Sequence, residues 1–271
     1  MATGSQQEKF KPFPFIQTQL SELGIDSGGV IPSISQESWK YTNLSQLANI
    51  DFQNSPDICQ LTQTDLSSLA NLEPKKHDIY IVDGKIMNSS SITSMNSSKL
   101  EISLGNSFQS DYQKTNSLLF INQNLKSDSI DIKVLPNTVI DTPIRLIFLT
   151  NGKNEPVASH PCVNFTAGVG CNVILLEHHI SSSNAVHWTN SLIKISVESG
   201  ARLAHYRLQE NNTLAWNTCF TEVSLNSEAN YENFCMINGA NLSRNEIHVK
   251  LTGEYASCSL NGAHMVRNKQ S

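Results

Sequence analysis

Eight histidines and six cysteines are the side chains of this 271-residue chain best suited to hold a metal or act as a base or nucleophile. Their spacing argues against a ready-made site. His178 and His179 are adjacent, so on a strand they face opposite ways and cannot share one ion. His187 and His205 stand alone. Cys235 and His248, with Arg244 and Asn245 between them, form the most polar cluster of soft ligands, and only a particular strand register would join them. No Cys-x-x-Cys spacing occurs, so neither a zinc site nor a cysteine-ligated cluster is encoded locally. Cleavage of a glycosidic bond needs a pair of carboxylates. Here aspartate gives out after Asp141 and the glutamates (Glu177, Glu198, Glu210, Glu222, Glu246) are scattered. No Gly-x-Ser-x-Gly, phosphate loop or dinucleotide fingerprint is present, and Gly168-Val169-Gly170 reads as a turn between strands.

The elements that must position these residues change in texture near residue 99. Before it, Phe13, Ile16, Leu20 and Leu23 have helical spacing, with Gly24 where a C-terminal cap belongs. Thr42 is placed to cap a short helix carrying Leu44, Leu47 and Ala48, and a further helix is expected at 65–72. The run 79–86, with Asp83-Gly84 at its centre, is a hairpin signal, and 88–98 reads as a loop. From residue 99 onward short β-type runs follow one another: 100–104, 117–121, 130–135, 144–149, 163–165, 173–180, 192–197, 203–208, 220–225, 231–237, 247–251 and 258–265.

Four similar corners, Gly170 to Val173, Gly200 to Leu203, Glu228 to Tyr231 and Glu254 to Ser257, have last positions 30, 28 and 26 residues apart. A period of this size suggests stacked coils, with Ile193, Ile195, Val197, Leu203, Tyr206 and Leu208 facing inward. A β-sandwich with hairpins of similar length is the alternative.

Composition narrows the setting. A net charge of −5 gives no electrostatic reason to expect nucleic acid or an anionic membrane as the main partner. Only 16% of residues are charged, and Ser and Asn take their place, which suits turns better than helix interiors. No run of apolar residues is long enough to span a bilayer, and no secretory signal is visible at the start. A cytoplasmic setting is therefore expected, with Cys59, Cys162, Cys171, Cys219, Cys235 and Cys258 as free thiols.

One segment sharpens the reading. Pro32-Ser33-Ile34-Ser35-Gln36-Glu37-Ser38-Trp39-Lys40-Tyr41-Thr42-Asn43-Leu44 resembles the N-terminal signature of the SufB/SufD family, scaffold subunits of the Suf iron–sulfur cluster machinery, with Trp39-Lys40-Tyr41-Thr42 most typical of its SufD branch. Ile81 to Lys85, Val173 to His187, Gly200 to Gln209 and Phe220 to Gly239 follow in the family's order.

The resemblance implies a mainly β fold: a small α-containing N-terminal region over 1–98, then a right-handed parallel β-helix over 99–271. It implies a non-catalytic scaffold, paired with SufB-like and SufC-like subunits to support cluster assembly and iron acquisition. No cofactor would be held stably by this chain, and iron or a transient iron–sulfur cluster would belong to the complex. The late Cys–His segment and the ATPase-docking helices of the family are not found here, so the resemblance implies a C-terminally truncated member. It also implies a structural role for Trp39, Lys40, Tyr41 and Thr42, the aromatic pair packing the N-terminal region onto the coils and Thr42 capping, and it leaves Arg244 and Asn245 as candidates for a ligand path through the β-helix. Set beside this reading are a solenoid enzyme acting on polysaccharide and a surface adhesin, the latter suggested by Ser and Asn richness alone.

Overall fold

The computed structural model describes residues 10–25, 30–55, 75–87, 93–105, 110–112, 114–152, 155–268 and 270–271; the helix expected at 65–72 and Cys59 lie outside them. Strand β1 (Phe10–Pro12) leads into helix α1 (Pro14–Glu22), then β2 (Val30–Pro32), β3 (Gln53–Asn54), β4 (Asp78–Val82), β5 (Lys85–Ile86) and β6 (Leu100–Leu104). Helix α2 (Ser117–Asn124) precedes β7 (Ser129–Val134), β8 (Ile144–Thr150), β9 (Val157–Ser159), β10 (Cys162–Ala167), β11 (Asn172–Ser181) and β12 (His187–Val197). The chain continues through β13 (Arg202–Glu210), β14 (Ala215–Leu225), β15 (Asn230–Asn238), β16 (Leu242–Leu251) and β17 (Ser257–Met265).

Alternate strands stack into two sheets, which makes a parallel β-solenoid and disposes of the sandwich. The first runs β6-β7-β10-β12-β14-β16, with β9 beside β12 and β3 beside β9; the second runs β5-β4-β8-β11-β13-β15-β17. Every neighbour pair from β7 to β17 is parallel, as stacked coils require, while β6 and β5 pair antiparallel. Strand β4 is laid on β8, so a segment before residue 99 extends the second sheet. Apolar side chains of both inner faces meet in one core, including Ile132, Ile144, Phe165, Val173, Ile195, Val197, Leu203, Val223 and Tyr231.

The repeat seen in the sequence is the coil length. Val163, Ile193, Thr221 and Ile247 are successive partners in the first sheet, 30, 28 and 26 residues apart. In the second sheet Val173, Leu203 and Tyr231 are likewise stacked, but Tyr231 meets Cys258 rather than Ser257. The reason lies in the corners. Asn137, Gly170, Gly200, Glu228 and Tyr255 all have left-handed φ, between 54 and 68°. The equivalent of Glu228 is therefore Tyr255, one residue beyond the position that sequence similarity selects. Each corner then turns on a small buried residue: Cys171, Ala201 and Ala229.

Outside the first sheet lies a second core. Phe13, Ile16 and Leu20 of α1, with Ile31, Trp39, Leu44, Leu47 and Phe52, pack on Trp188, Trp216 and Leu242. The Phe13 and Trp188 rings are 5.4 Å apart. This cover explains why β12 and β14 are buried on both faces. Helix α1 ends as expected, with Gly24 at φ 74° and Ile25 N–H donating to Leu20 O at 2.9 Å.

Two local expectations are corrected. Residues 117–121 read as a strand because they are apolar; they form α2, because the Asn116 side chain caps the Leu118 and Leu119 amides at 3.0 and 3.3 Å and one face buries Leu118, Leu119, Ile121 and Asn122. Thr42 caps no helix: its amide closes a tight turn onto Trp39 O at 2.9 Å, and the helical turn that follows is only Leu47–Asn49.

Candidate functional site: a polar band inside the solenoid

On a strand every second residue faces inward. From Leu203 this places His205, Arg207 and Gln209 inside, all buried. Tyr206 is 41% exposed and points outward with Leu208, correcting their expected placement. On β11 the same parity carries Val173 and Leu175, then Glu177 and His179, inside. On β15 it carries Tyr231, Asn233, Cys235 and Ile237. Apart from Ile237, the apolar members of each series sit beside the tight corners. The polar ones gather at the opposite end, where the second-sheet strands finish and Asn217 and Cys219 of β14 begin the return.

Glu177 is the hub. It is fully buried and accepts from His205 Nε2 at 2.6 Å, His179 Nε2 at 2.9 Å and Arg207 Nη1 at 2.8 Å. Arg207 also donates to Asn217 Oδ1 at 2.9 Å. Tyr231 O–H lies 2.8 Å from His205 Nδ1, and Asn217 Nδ2 lies 3.4 Å from His179 Nδ1. Both Nδ1 atoms thus accept, which puts the ring protons on Nε2, aimed at the carboxylate. Burial alone would raise the Glu177 carboxyl; the Arg207 charge and the two histidine bonds outweigh it and hold the group well below the usual carboxylate range. Burial, reinforced by Arg207, pushes His179 down to about 4, so the ring is neutral. Burial raises the thiols of Cys219 and Cys235 despite the Arg207 charge beside them, leaving both protonated and poorly nucleophilic. Among the described residues, Arg207 Nε, Gln209 Nε2, Asn233 Oδ1 and Asn245 Oδ1 are buried without a hydrogen-bond partner.

The sequence-derived candidates divide across this wall. Asn245 faces inward, its Nδ2 3.5 Å from Cys235 Sγ. Arg244, its neighbour, faces outward: its guanidinium lies 3.9 Å from the Trp39 ring centroid, donates to Glu246 Oε1 at 2.8 Å and reaches Thr42 Oγ1 at 3.1 Å. A single path shared by Arg244 and Asn245 is thereby corrected, because strand parity puts them on opposite sides of the sheet. Of the signature, Trp39 is buried in the outer core and Thr42 is tied to β16 through Arg244. Tyr41 is 88% exposed beside Lys40, so the aromatic pair does not pack together.

Cys235 and His248 are separated by the same wall; His248 stacks on Phe220 outside. His178 faces away from His179, as expected, and meets Glu210 at 2.9 Å. His205, read as isolated, belongs to the hub. The signal that would have found the hub is the coil length: 30 residues on from Glu177 is Arg207, its actual ladder partner, and His205 shares the inward parity of Arg207.

Among the described residues no three His, Cys, Asp or Glu side chains are grouped to hold a metal ion, and no helix is long and apolar enough to cross a membrane. The five described cysteines are free thiols.

Residues 148–271, which contain the whole polar band, match a family model described as "SUF system FeS cluster assembly, SufBD core domain". The chain is 24% identical over 269 residues to the iron–sulfur cluster assembly protein SufD of Escherichia coli (strain K12), covering 97% of this chain and 62% of that protein. It is 26% identical over 151 residues to the chloroplastic protein ABCI7 of Arabidopsis thaliana, covering 53% of this chain and 32% of that one. The chain thus spans less than two thirds of the length of these curated relatives.

Proposed function

From the premise that this chain is SufD-like along nearly its whole length and carries a SufBD core domain in residues 148–271, we propose that it is a scaffold subunit of iron–sulfur cluster assembly that works by binding rather than by turnover. Its solenoid pairs with a SufB-like subunit, in a complex that includes a SufC-like ATPase and supports iron acquisition. The cytoplasmic setting belongs to the same proposal. The observation that carries it is the coincidence of the coils from β10 to β17 with the SufBD core segment.

The interior chemistry supports a scaffold. A buried carboxylate that already accepts from three donors, as Glu177 does, has little acceptor capacity left for a substrate proton. Thiols kept protonated by burial are poor ligands and poor nucleophiles. Iron or a nascent cluster is then cargo of the complex, with ligands completed from outside the described residues.

The test is anaerobic reconstitution with iron and sulfide of purified SufB-like and SufC-like subunits, with and without this chain. The proposal expects a higher yield of protein-bound cluster when the chain is present. Equal yields in both mixtures would refute it.

A further inference from the structure

The two faces of the coil stack are dressed unequally. Outside the first sheet, β12 and β14 are covered by α1 and the outer core and are buried on both faces. Outside the second sheet, buried and exposed residues alternate along β13 and β15. The outward residues of β13 are Arg202, Ala204, Tyr206, Leu208 and Glu210, so an apolar stretch lies between a cation and an anion. The ladder extends the apolar stretch across neighbouring coils. Leu176, Tyr206 and Phe234 are successive partners in one row, and Leu208 and Met236 are partners in the next. Tyr206 is 41% and Phe234 40% exposed, while Leu176, Leu208 and Met236 are half-buried. Two aromatic rings and a thioether side by side on an open sheet have the composition of a contact surface.

Size and charge select the partner. Strands of about nine residues are about 30 Å long and about 4.8 Å apart, so β11, β13, β15 and β17 present about 550 Å² per copy and roughly 1,100 Å² in a face-to-face pair. That is the size of a weak, reversible contact. The charges of β13 complement one another. Arg202 opens the strand and its side chain makes no bond among the described residues. Glu210 closes it, bonded to His178 Nε2 at 2.9 Å and with acceptor capacity left for a further donor. Two copies stacked with their strands parallel would set Arg202 on Arg202 and Glu210 on Glu210. A two-fold axis across the strands makes them antiparallel: Tyr206 meets Tyr206, and Arg202 of each copy lies over Glu210 of the other. Glu232, exposed on β15, is the charge of this face that the antiparallel orientation leaves unmatched.

We propose that the outer face of the second sheet is a self-association surface, on which a second copy of this chain packs face to face with antiparallel strands through Tyr206, Phe234 and two Arg202–Glu210 pairs. The inference goes beyond the scaffold reading and does not rest on it, since it needs neither a SufB-like subunit nor iron.

The test is sedimentation equilibrium of the 271-residue chain alone, from about 1 to about 200 μM. The proposal expects a monomer–dimer equilibrium with Kd on the order of 10 μM. Tyr206→Lys should weaken it by about tenfold or more. Arg202→Glu should weaken it about tenfold, and adding Glu210→Arg to that variant should restore the parent value. Glu232→Gln, which removes the unmatched charge, should tighten it. These substitutions change outward side chains, so each is scored with the far-UV spectrum of the parent, and the concentration series of the unaltered chain decides even where a variant fails to fold. A monomer throughout the range overturns the proposal and leaves the face to a different protein. A dimer that neither Tyr206→Lys nor Arg202→Glu weakens overturns it as well, because the contact then lies elsewhere.

Discussion

Glu177 keeps its charge inside the solenoid because three donors meet its two oxygens. Its ionised state and the buried Arg207 cation are therefore one unit. Removing either leaves the other unpaired in a medium that solvates it poorly, at a cost of about 3–5 kcal/mol. Replacing both with neutral groups of similar shape removes the desolvation penalty as well. The expected outcome is that Arg207→Met and Glu177→Gln are each strongly destabilising, while the double variant recovers more than about 1 kcal/mol relative to their sum. Chemical denaturation of the four proteins measures this. Strict additivity would show that the two side chains do not act together. This hub was half legible in the sequence. The coil length was read correctly, but inward positions were chosen by apolarity, which selected Tyr206 and Leu208 over His205 and Arg207. Strand parity outranks hydrophobicity when the inward polar groups neutralise one another, and parity becomes visible only once the register is known.

At the scale of the element, the corners set the register. Each coil turns through one left-handed residue, and glycine fills that position at Gly170 and Gly200. At Gly200 a Cβ would find open space, its nearest neighbour being Gly170 Cα at 4.0 Å, so Gly200→Ala pays only the left-handed backbone cost of about 1–2 kcal/mol. Gly168 differs: a Cβ there would lie 2.4 Å from Val134 O of the coil below, so Gly168→Ala must push the coils apart. Thermal melts should rank Gly168→Ala well below Gly200→Ala. The reverse order would contradict the stacking described. The hairpin at Asp83-Gly84 and the strands from β10 onward were legible because turn chemistry and alternation are local signals. Helix α2 was not, because five apolar residues fit either element and the Asn116 cap and the surface beneath decide between them.

For the whole molecule, acid should act through buried neutral histidines. Burial is the first cause lowering all three: His160 to about 3, and His179 and His187 to about 4. Because the folded values lie below the unfolded one near 6.5, each ring's stabilisation is complete above that pH and is lost as pH falls from about 6.5 toward the folded values. Glu177 is also depressed, so its share is lost only at still lower pH, below the ordinary carboxylate range. With three protons taken up on unfolding, stability should fall by up to about 4 kcal/mol per pH unit between roughly pH 6 and 4. His187→Gln should remove about one third of that slope, and denaturant midpoints at pH 7.5 and 5.0 check both statements. The scaffold proposal belongs to this scale too, since pairing with another subunit would engage the coil stack as a whole. The most direct test is sedimentation velocity of the purified 271-residue chain mixed anaerobically with a purified SufB-like subunit from the same source. The account predicts one faster, saturable species at equimolar ratio; two boundaries sedimenting as the separate proteins at every ratio would contradict it.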